Sequence, residues 1–286
     1  TQQSILLTGA SSGIGYDAAL GFRALGFRVF ASCRAQAACD RLIAEGFASP
    51  RIDYTDSDSI VSGLAAVLDA TGGTLDVLYN NGARLPGAVE DLPRDALRAI
   101  FETNVFGYQE LTNLVIPVMR AQGHGRIINC SSVLGLVGLK WRGAYVATKY
   151  ALEGLSDVLR IELADTPIKV ILIEPGPITS DIRQNAIPHF ERWIDWERSA
   201  RAVEYGTLRG RLYTDSRPDT YELPGSAVTQ KLSHEACAKR PKPSEHETLL
   251  TYRSVLLLLI LWLNSLVAKT ILMALSVVRC AFDDHT

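Results

Sequence analysis

Residues 5–15 read Ile5-Leu6-Leu7-Thr8-Gly9-Ala10-Ser11-Ser12-Gly13-Ile14-Gly15. A short apolar run enters a glycine-bearing turn, and helix-like periodicity begins at once after it. Gly9 permits a tight turn out of the strand. Gly13 lets the backbone approach a pyrophosphate with no side chain in the way. Gly15 lets the following helix pack closely on the sheet. The helix N-terminus then offers free N–H groups and a positive dipole end to an anion. Three glycines alone are a weak signal. A strand before them and a helix after them supply the context of a dinucleotide site. Ser11, Ser12 and Ile14 complete the turn as candidate cofactor contacts.

The same alternation continues outward. Strand signals fall at 4–7, 28–32, 51–53, 75–79, 126–130 and 168–173. Helical signals fall at 14–25, 37–45, 57–70, 94–120 and 144–163. Gly26, Gly46 and Gly72-Gly73 are placed as stops, and Asp56 or Ser57 as a cap. Strands without polar alternation, each followed by a helix, predict a parallel sheet covered on both faces. The expected fold is a single α/β domain with a doubly wound parallel sheet, spanning 1–243. Its ligands should bind beyond the carboxyl ends of the strands.

After Pro175 the pattern loosens. Residues 181–230 carry many Arg, Glu and aromatic side chains, and read both as surface amphipathic helices and as a lid over a substrate. Residues 244–286 form an apolar tail. It is expected to be a packed or oligomer-interface helix, a membrane-associated helix, or a segment foreign to the rest of the frame. Its length suffices to cross a bilayer, although Lys269 would oppose insertion.

Composition narrows the function. The chain has 286 residues, a formal net charge of −2 and 47% hydrophobic residues. That supports a packed core and argues against a nucleic-acid partner, which would need a basic face. Five cysteines without regular spacing predict free thiols in a reducing compartment, hence a cytoplasmic protein, peripheral to a membrane if the tail associates with one. The first apolar run is too short for a secretory signal, so the chain is expected to begin inside its fold. No metal site is expected.

The second strand addresses the choice of dinucleotide. An acid at its end normally grips the ribose hydroxyls of NAD. Here the residues are Ser32-Cys33-Arg34. Arg34 can hold a 2′-phosphate with its planar fork, which predicts NADP(H) over NAD(H).

Further along stand Asn80-Asn81, Asn104, Ser132 and Tyr145-x-x-x-Lys149. Tyr145 and Lys149 lie four apart on a helix, so both project from one face. A cationic Lys beside a phenol favours the phenolate, and such a Tyr can exchange a proton with a substrate oxygen. Ser132 follows the fifth strand and can hydrogen-bond the same oxygen. Taken singly, each has a plainer reading: a packed ring, a solvated amine, a helix cap, a buried amide. Together with the turn at 8–15 they form a catalytic set.

In that order and spacing the motifs resemble the short-chain dehydrogenase/reductase family. The nearer likeness is to NADP-dependent retinol/hydroxysteroid dehydrogenase-like enzymes and bacterial aldehyde reductases, carried by GRIINCSSVLGLVGLKWRGAYVATKYALEGLSD and IEPGPI. The resemblance implies a Rossmann fold and hydride transfer between nicotinamide and a carbonyl or alcohol. It implies that Tyr145 is the acid/base and that Lys149 also binds the nicotinamide ribose. Asn104 would bend its helix around a proton-relaying water. Asp53 would bond the adenine amine, and Asn80 would support sheet and cofactor. Pro175, Gly176 and Thr179 would close over the nicotinamide amide.

One departure stands out. The family usually reads Asn-Asn-Ala-Gly after its fourth strand, whereas this chain reads Asn80-Asn81-Gly82-Ala83. Gly82 should still leave room for the ribose, with the loop's backbone angles at issue.

For the substrate, Leu134, Leu136, Trp141, Phe190 and Trp193 suggest an apolar wall. No Arg or Lys is set aside for a carboxylate. A lipophilic aldehyde, ketone or secondary alcohol is expected, with the enzyme a homo-oligomer. Two alternatives stay open: a non-catalytic NADP-binding sensor or scaffold, and a membrane-associated reductase of lipid-like substrates.

Overall fold

The computed structural model describes residues 2–82, 85–214 and 221–247. The expectations for the apolar tail, beyond residue 247, lie outside the described residues, as does Ala83. Among the described residues no helix is long and apolar enough to cross a membrane.

Among the described residues six parallel strands form one sheet: β1 (Ser4–Leu7), β2 (Arg28–Ala31), β3 (Val77–Asn80), β4 (Gly125–Cys130), β5 (Ile168–Pro175) and β6 (Ser244–Glu247). Their order is β2-β1-β3-β4-β5-β6. The chain thus moves outward from β1 to β2, then returns past β1 to β3 and onward. The reversal opens a crevice at the carboxyl ends of β1 and β3, where ligands of such sheets bind.

The strands are buried on both faces, which is why they read as unbroken apolar runs. Ile5 and Leu7 face a core with Phe22, Val228 and Leu232, while Leu6 faces one with Leu64, Leu111 and Val115. The first core is closed by helices α1 (Gly13–Ala24) and α9 (Gly225–Cys237). The second lies under α3 (Ser57–Thr71), α5 (Gly107–Gln122) and α6 (Gly143–Glu162).

The helix punctuation follows the sequence. Asp56 caps α3 by accepting the Ser59 N–H at 3.1 Å. Gly72 ends it with φ 70°. Gly26 and Gly46 take left-handed φ just past α1 and past α2 (Gln36–Ala44). The helix expected over 94–120 is divided. It runs as α4 (Arg94–Phe101), a π turn at Glu102–Phe106, and α5.

The strand expected at 51–53 does not form as a strand. Only isolated bridges join Phe30 to Ala48 and Cys33 to Arg51. Proline explains the gap. Ala31 donates to the Ala48 carbonyl at 2.8 Å, and Ile52 donates to Cys33 at 3.1 Å. Between them Pro50 has no N–H to give. The Ser49 hydroxyl supplies the missing donor, reaching the Ala31 carbonyl at 2.6 Å. The segment lies against β2 as an outer edge with one ladder bond replaced by a side chain.

One boundary in the second half also differs from expectation. β6 pairs with β5 from Leu172↔Ser244 to Pro175↔Glu247, so the sheet extends past the expected limit at 243. Beyond β5, α7 (Ile182–Trp193) and α8 (Ala202–Tyr213) pack around Phe190, Ile194, Tyr205, Leu208 and Leu212. Tyr205 fastens this unit to the domain. Its hydroxyl accepts from the Ala88 N–H at 2.9 Å and donates to Asp91 at 2.8 Å.

Candidate active site

The crevice at the carboxyl ends of β1 and β3 is a cleft of about 340 Å³. Gly9, Ser11, Ser12, Gly13 and Ile14 form its floor, and Arg34 and Asp53 stand along one side. Gly9 and Gly13 have φ of 61° and 53°. These left-handed turns aim the backbone at the cleft and favour glycine. A Cβ on Gly13 would come within 2.9 Å of the Ser180 side chain, and one on Gly15 would overlap the Gly9 carbonyl. Gly13 therefore admits the opposite wall, and Gly15 admits the helix to the turn. The Ser12 hydroxyl does not cap α1, so the helix N-terminus stays open to an anion. This cradle fits the pyrophosphate of a dinucleotide.

Arg34 is exposed at the cleft margin. Asp53 accepts from Thr55 through N–H and hydroxyl, at 3.0 and 2.9 Å. Asn80 does not line the cleft. It is fully buried, donates to Thr112 and Asn129, and accepts from the Tyr54 hydroxyl at 2.7 Å. Its placement ties β3 to β4 and α5 beneath the site.

A smaller chamber of about 50 Å³ shares Ile14, Asn81, Gly82 and Ser180 with the cleft. Ser132, Tyr145 and Lys149 share its wall with Ile14, Gly82, Pro175 and Gly176. Tyr145 and Lys149 sit in the first turns of α6, and Ser132 follows β4. The Lys149 ammonium lies 5.4 Å from the Tyr145 ring and donates to the Cys130 carbonyl at 2.5 Å. A lysine only 2% exposed needs such partners to keep its charge. The Ser132 hydroxyl donates to the Pro175 carbonyl at 3.3 Å and accepts from Leu134 at 3.2 Å. Asn104 is buried in the π turn and donates to Thr148 at 3.1 Å. Thr148 in turn donates to the Tyr145 carbonyl at 2.8 Å. π turns inside helices are frequent at functional sites.

Gly82 lines both spaces. Its φ is not left-handed; what it contributes is room. A Cβ there would lie 2.5 Å from Asn104 Oδ1 and 2.7 Å from Tyr108 Oη.

Several expected contacts are placed elsewhere. Thr179 is exposed, and its N–H bonds Leu223. Its neighbours Ile178 and Ser180 face the chamber instead, because extended backbone alternates its sides. Phe190 is buried among Tyr205 and Leu208, and so builds the unit over the site rather than touching a substrate. Leu136 is exposed and lines neither space. Trp141 packs its ring on Tyr205 at 4.9 Å. Leu134 does pack with Tyr145. Trp193 borders a small hollow with Leu85, Ile100 and His189.

The sequence reading missed the wall contributed by α7. Asp181, Gln184, Asn185, Pro188 and His189 all face the cleft. Their spacing of three, four, seven and eight marks one helix face, so the signal was present. Asn185 reaches Ser12 at 3.5 Å. Burial first, then Arg34 and Arg192, push the His189 pKa below its usual value.

This arrangement agrees with known proteins. A model described as "short chain dehydrogenase" matches residues 3–190. The chain belongs to that family, and it is an NAD(P)-dependent oxidoreductase with the Rossmann-type fold. It is 35% identical over 257 residues to the uncharacterized oxidoreductase YbbO of Escherichia coli K12, covering 90% of this chain and 89% of that one. Human retinol dehydrogenase 8 is 33% identical over 190 residues, covering 63% of this chain and 60% of that one. Among solved structures, a variant of actinorhodin polyketide ketoreductase with NADPH is 26% identical. It superposes with a TM-score of 0.69, over 86% of this chain and 95% of that one.

Proposed function

We propose that the chain is an NADP(H)-preferring reductase or dehydrogenase of lipophilic carbonyls and alcohols. One observation carries this reading: Ser132, Tyr145 and Lys149 converge on a single chamber that shares Ile14, Asn81, Gly82 and Ser180 with the dinucleotide cleft. When bound, the nicotinamide exchanges a hydride with the substrate carbon. Tyr145 gives its phenolic proton to the substrate oxygen in reduction and takes it back in oxidation. Lys149, held at the Cys130 carbonyl, brings its ammonium beside the Tyr145 ring and keeps donors for a ribose hydroxyl. Ser132 turns its hydroxyl toward the same oxygen and steadies charge as it develops. Asn104 and Thr148 fix the first turn of α6 from behind.

The cofactor preference rests on Arg34, the residue offered at the cleft margin where β2 ends. NADPH in the related ketoreductase supports it. Gly9, Ser11, Ser12, Gly13 and Ile14 would hold the pyrophosphate, and Asp53 the adenine side. An apolar substrate is supported by Leu134 and Trp193 beside the site, and by the likeness to a retinol dehydrogenase. Cys33, Cys39, Cys130 and Cys237 are free thiols, which supports a reducing, cytoplasmic setting. The apolar residues Leu155, Val158 and Ile161 lie exposed together on α6, an apolar surface that supports a homo-oligomer.

Tyr145→Phe tests the reading against a panel of hexanal, octanal, benzaldehyde and cyclohexanone. The variant should bind NADPH as the wild type does and lose turnover by at least about a hundredfold. Unchanged turnover would sink the mechanism. A wild type that binds NADPH yet turns over no carbonyl would favour the sensor reading.

A further inference from the structure

His189 on α7 borders both the dinucleotide cleft and the small hollow beside it. The hollow brings uncharged residues to it, Ile100 and Thr103 from the elements opposite and Trp193 from its own helix. The cleft side brings cations. Arg34 stands at the margin where β2 ends, and Arg192 follows His189 by one turn on α7. Burial and these two arginines hold the imidazole below its usual pKa, with no carboxylate to offset them. The acids that line the cleft are engaged or distant. Asp53 accepts from Thr55 and faces Arg51 at 4.0 Å. Asp181 lies at the start of α7, about two turns before His189. Two arginines and a histidine gathered without an acid attract an anion. Position says which. Asn185, on the same face of α7, reaches Ser12 in the pyrophosphate turn at 3.5 Å. Four residues of helix carry His189 about 6 Å further along, where Arg34 is near enough to act on its charge. A dinucleotide with its pyrophosphate at Ser12 has its adenosine ribose next in line.

We propose that His189 holds the 2′-phosphate of NADP(H) beside Arg34, and that its imidazole takes up a proton from solvent as the phosphate docks. The inference rests on the NADP(H) preference argued above. Before the phosphate arrives, His189 is neutral near pH 7, because burial and its cationic neighbours disfavour a further charge. A phosphate dianion reverses the local sign. It offsets Arg34 and Arg192 and favours the imidazolium, which donates its N–H to a phosphate oxygen. One N–H bond forms on the imidazole, water supplies the proton, and no electron moves. Arg34 recognises the phosphate at any pH, whereas His189 strengthens the recognition as pH falls. NADH lacks the group and leaves His189 neutral. His189 is thus a specificity residue for the cofactor, supplied by the helix that also covers the pyrophosphate turn.

The 2′-phosphate is present in 2′,5′-ADP and missing from 5′-AMP, so calorimetric titration of the full chain with each separates it from the nicotinamide. Near pH 7, in buffers of different ionisation enthalpy, the titration counts protons. With 2′,5′-ADP the wild type should take up at least about half a proton more than His189→Gln. With 5′-AMP the two proteins should not differ. The sign is diagnostic, because a phosphate gripped by cations releases protons rather than taking them up. At about pH 6.5 the variant should bind 2′,5′-ADP roughly fivefold to tenfold more weakly than the wild type, and at about pH 8.5 within about twofold of it. Equal proton counts in the two proteins would overturn the proposal and leave Arg34 and the NADP(H) preference standing. No uptake by the wild type would also overturn it, whether or not the variant folds. A wild type that binds 2′,5′-ADP no more tightly than 5′-AMP would instead remove the preference itself, and His189 with it.

Discussion

Replacing Arg34 separates the two nicotinamide cofactors most sharply. Arg34 stands exposed where β2 delivers the chain to the cleft, on the same margin as Asp53. Among the described residues its hydrogen bond to the scaffold is through the carbonyl, which accepts from Arg51 Nε at 3.1 Å. A side-chain change therefore spares the fold. A hydrogen bond between charged partners contributes about 1.5–3 kcal/mol, and solvent exposure selects the lower end. Arg34→Ala should weaken NADPH by about 1.5 kcal/mol, or about tenfold in Kd. Arg34→Asp adds repulsion. Two unit charges ~5 Å apart in water repel by about 0.8 kcal/mol. A phosphate dianion doubles that, and salt near 0.15 M screens roughly half. The combined loss is about 2–2.5 kcal/mol, roughly 30- to 70-fold. NADH lacks the phosphate and should change less than twofold. Fluorescence titrations of both cofactors at low and high salt read these numbers, and the NADPH penalty of Arg34→Asp should shrink as salt rises. An equal loss for both cofactors would mean that the turn had moved. No loss for either would remove Arg34 from the site and the NADP preference with it.

Gly82→Ala should fail for lack of room, since the new methyl meets Asn104 Oδ1 at 2.5 Å and Tyr108 Oη at 2.7 Å. Overpacking of this kind costs about 1–3 kcal/mol, so urea unfolding should show a lower midpoint and kcat should drop. A variant as stable and active as the wild type would show that the two oxygens do not crowd Gly82. Asp76 offers a pH test. Burial works to raise its pKa, but the Ser4 backbone N–H at 2.7 Å and His124 at 2.8 Å outweigh it and hold the carboxyl below its usual value. A depressed carboxylate stabilises the fold above its unfolded pKa and ceases to as pH falls through the folded one. Asp76→Asn should therefore be less stable than the wild type near pH 7, with the gap closing below about pH 4. A gap that persists at pH 3 would assign the effect to something other than this carboxyl.

Much of this site is legible in one dimension because its chemistry is local. The turn at 8–15 needs glycine where φ is left-handed and where backbones touch, and those demands are met within eight residues. Tyr145 and Lys149 meet because they lie on one helix four apart. Asn80 ends a strand and Ser132 follows one, and a parallel sheet brings strand ends to one rim. The failures are of another kind. Residues 51–53 have strand-like neighbours, yet Pro50 withdraws a donor, and only the fold shows Ser49 replacing it. Phe190 and Trp193 look alike in sequence, three apart on α7, but packing against Tyr205 buries the first and leaves the second beside a hollow. Thr179 lost its expected place to an alternation of sides set by its pairing with Leu223.

Gly82 unites the two kinds. Its departure from the family pattern was visible; Gly82 itself keeps an ordinary φ, while the angle at Ala83 lies outside the described residues. Ala is small enough for most loops, so a glycine with ordinary φ points to a neighbour that needs the space. The neighbour here is Tyr108, twenty-six residues onward and one turn beyond Asn104. Neither residue explains itself alone. An unpaired hydroxyl in the core is a cost, and a glycine in a loop is a loss of order. Set against each other beside Lys149, the one makes room and the other fills it with a hydrogen-bonding group. A methyl on Gly82 and a phenyl at 108 would be the plainer pair, and the chain has neither.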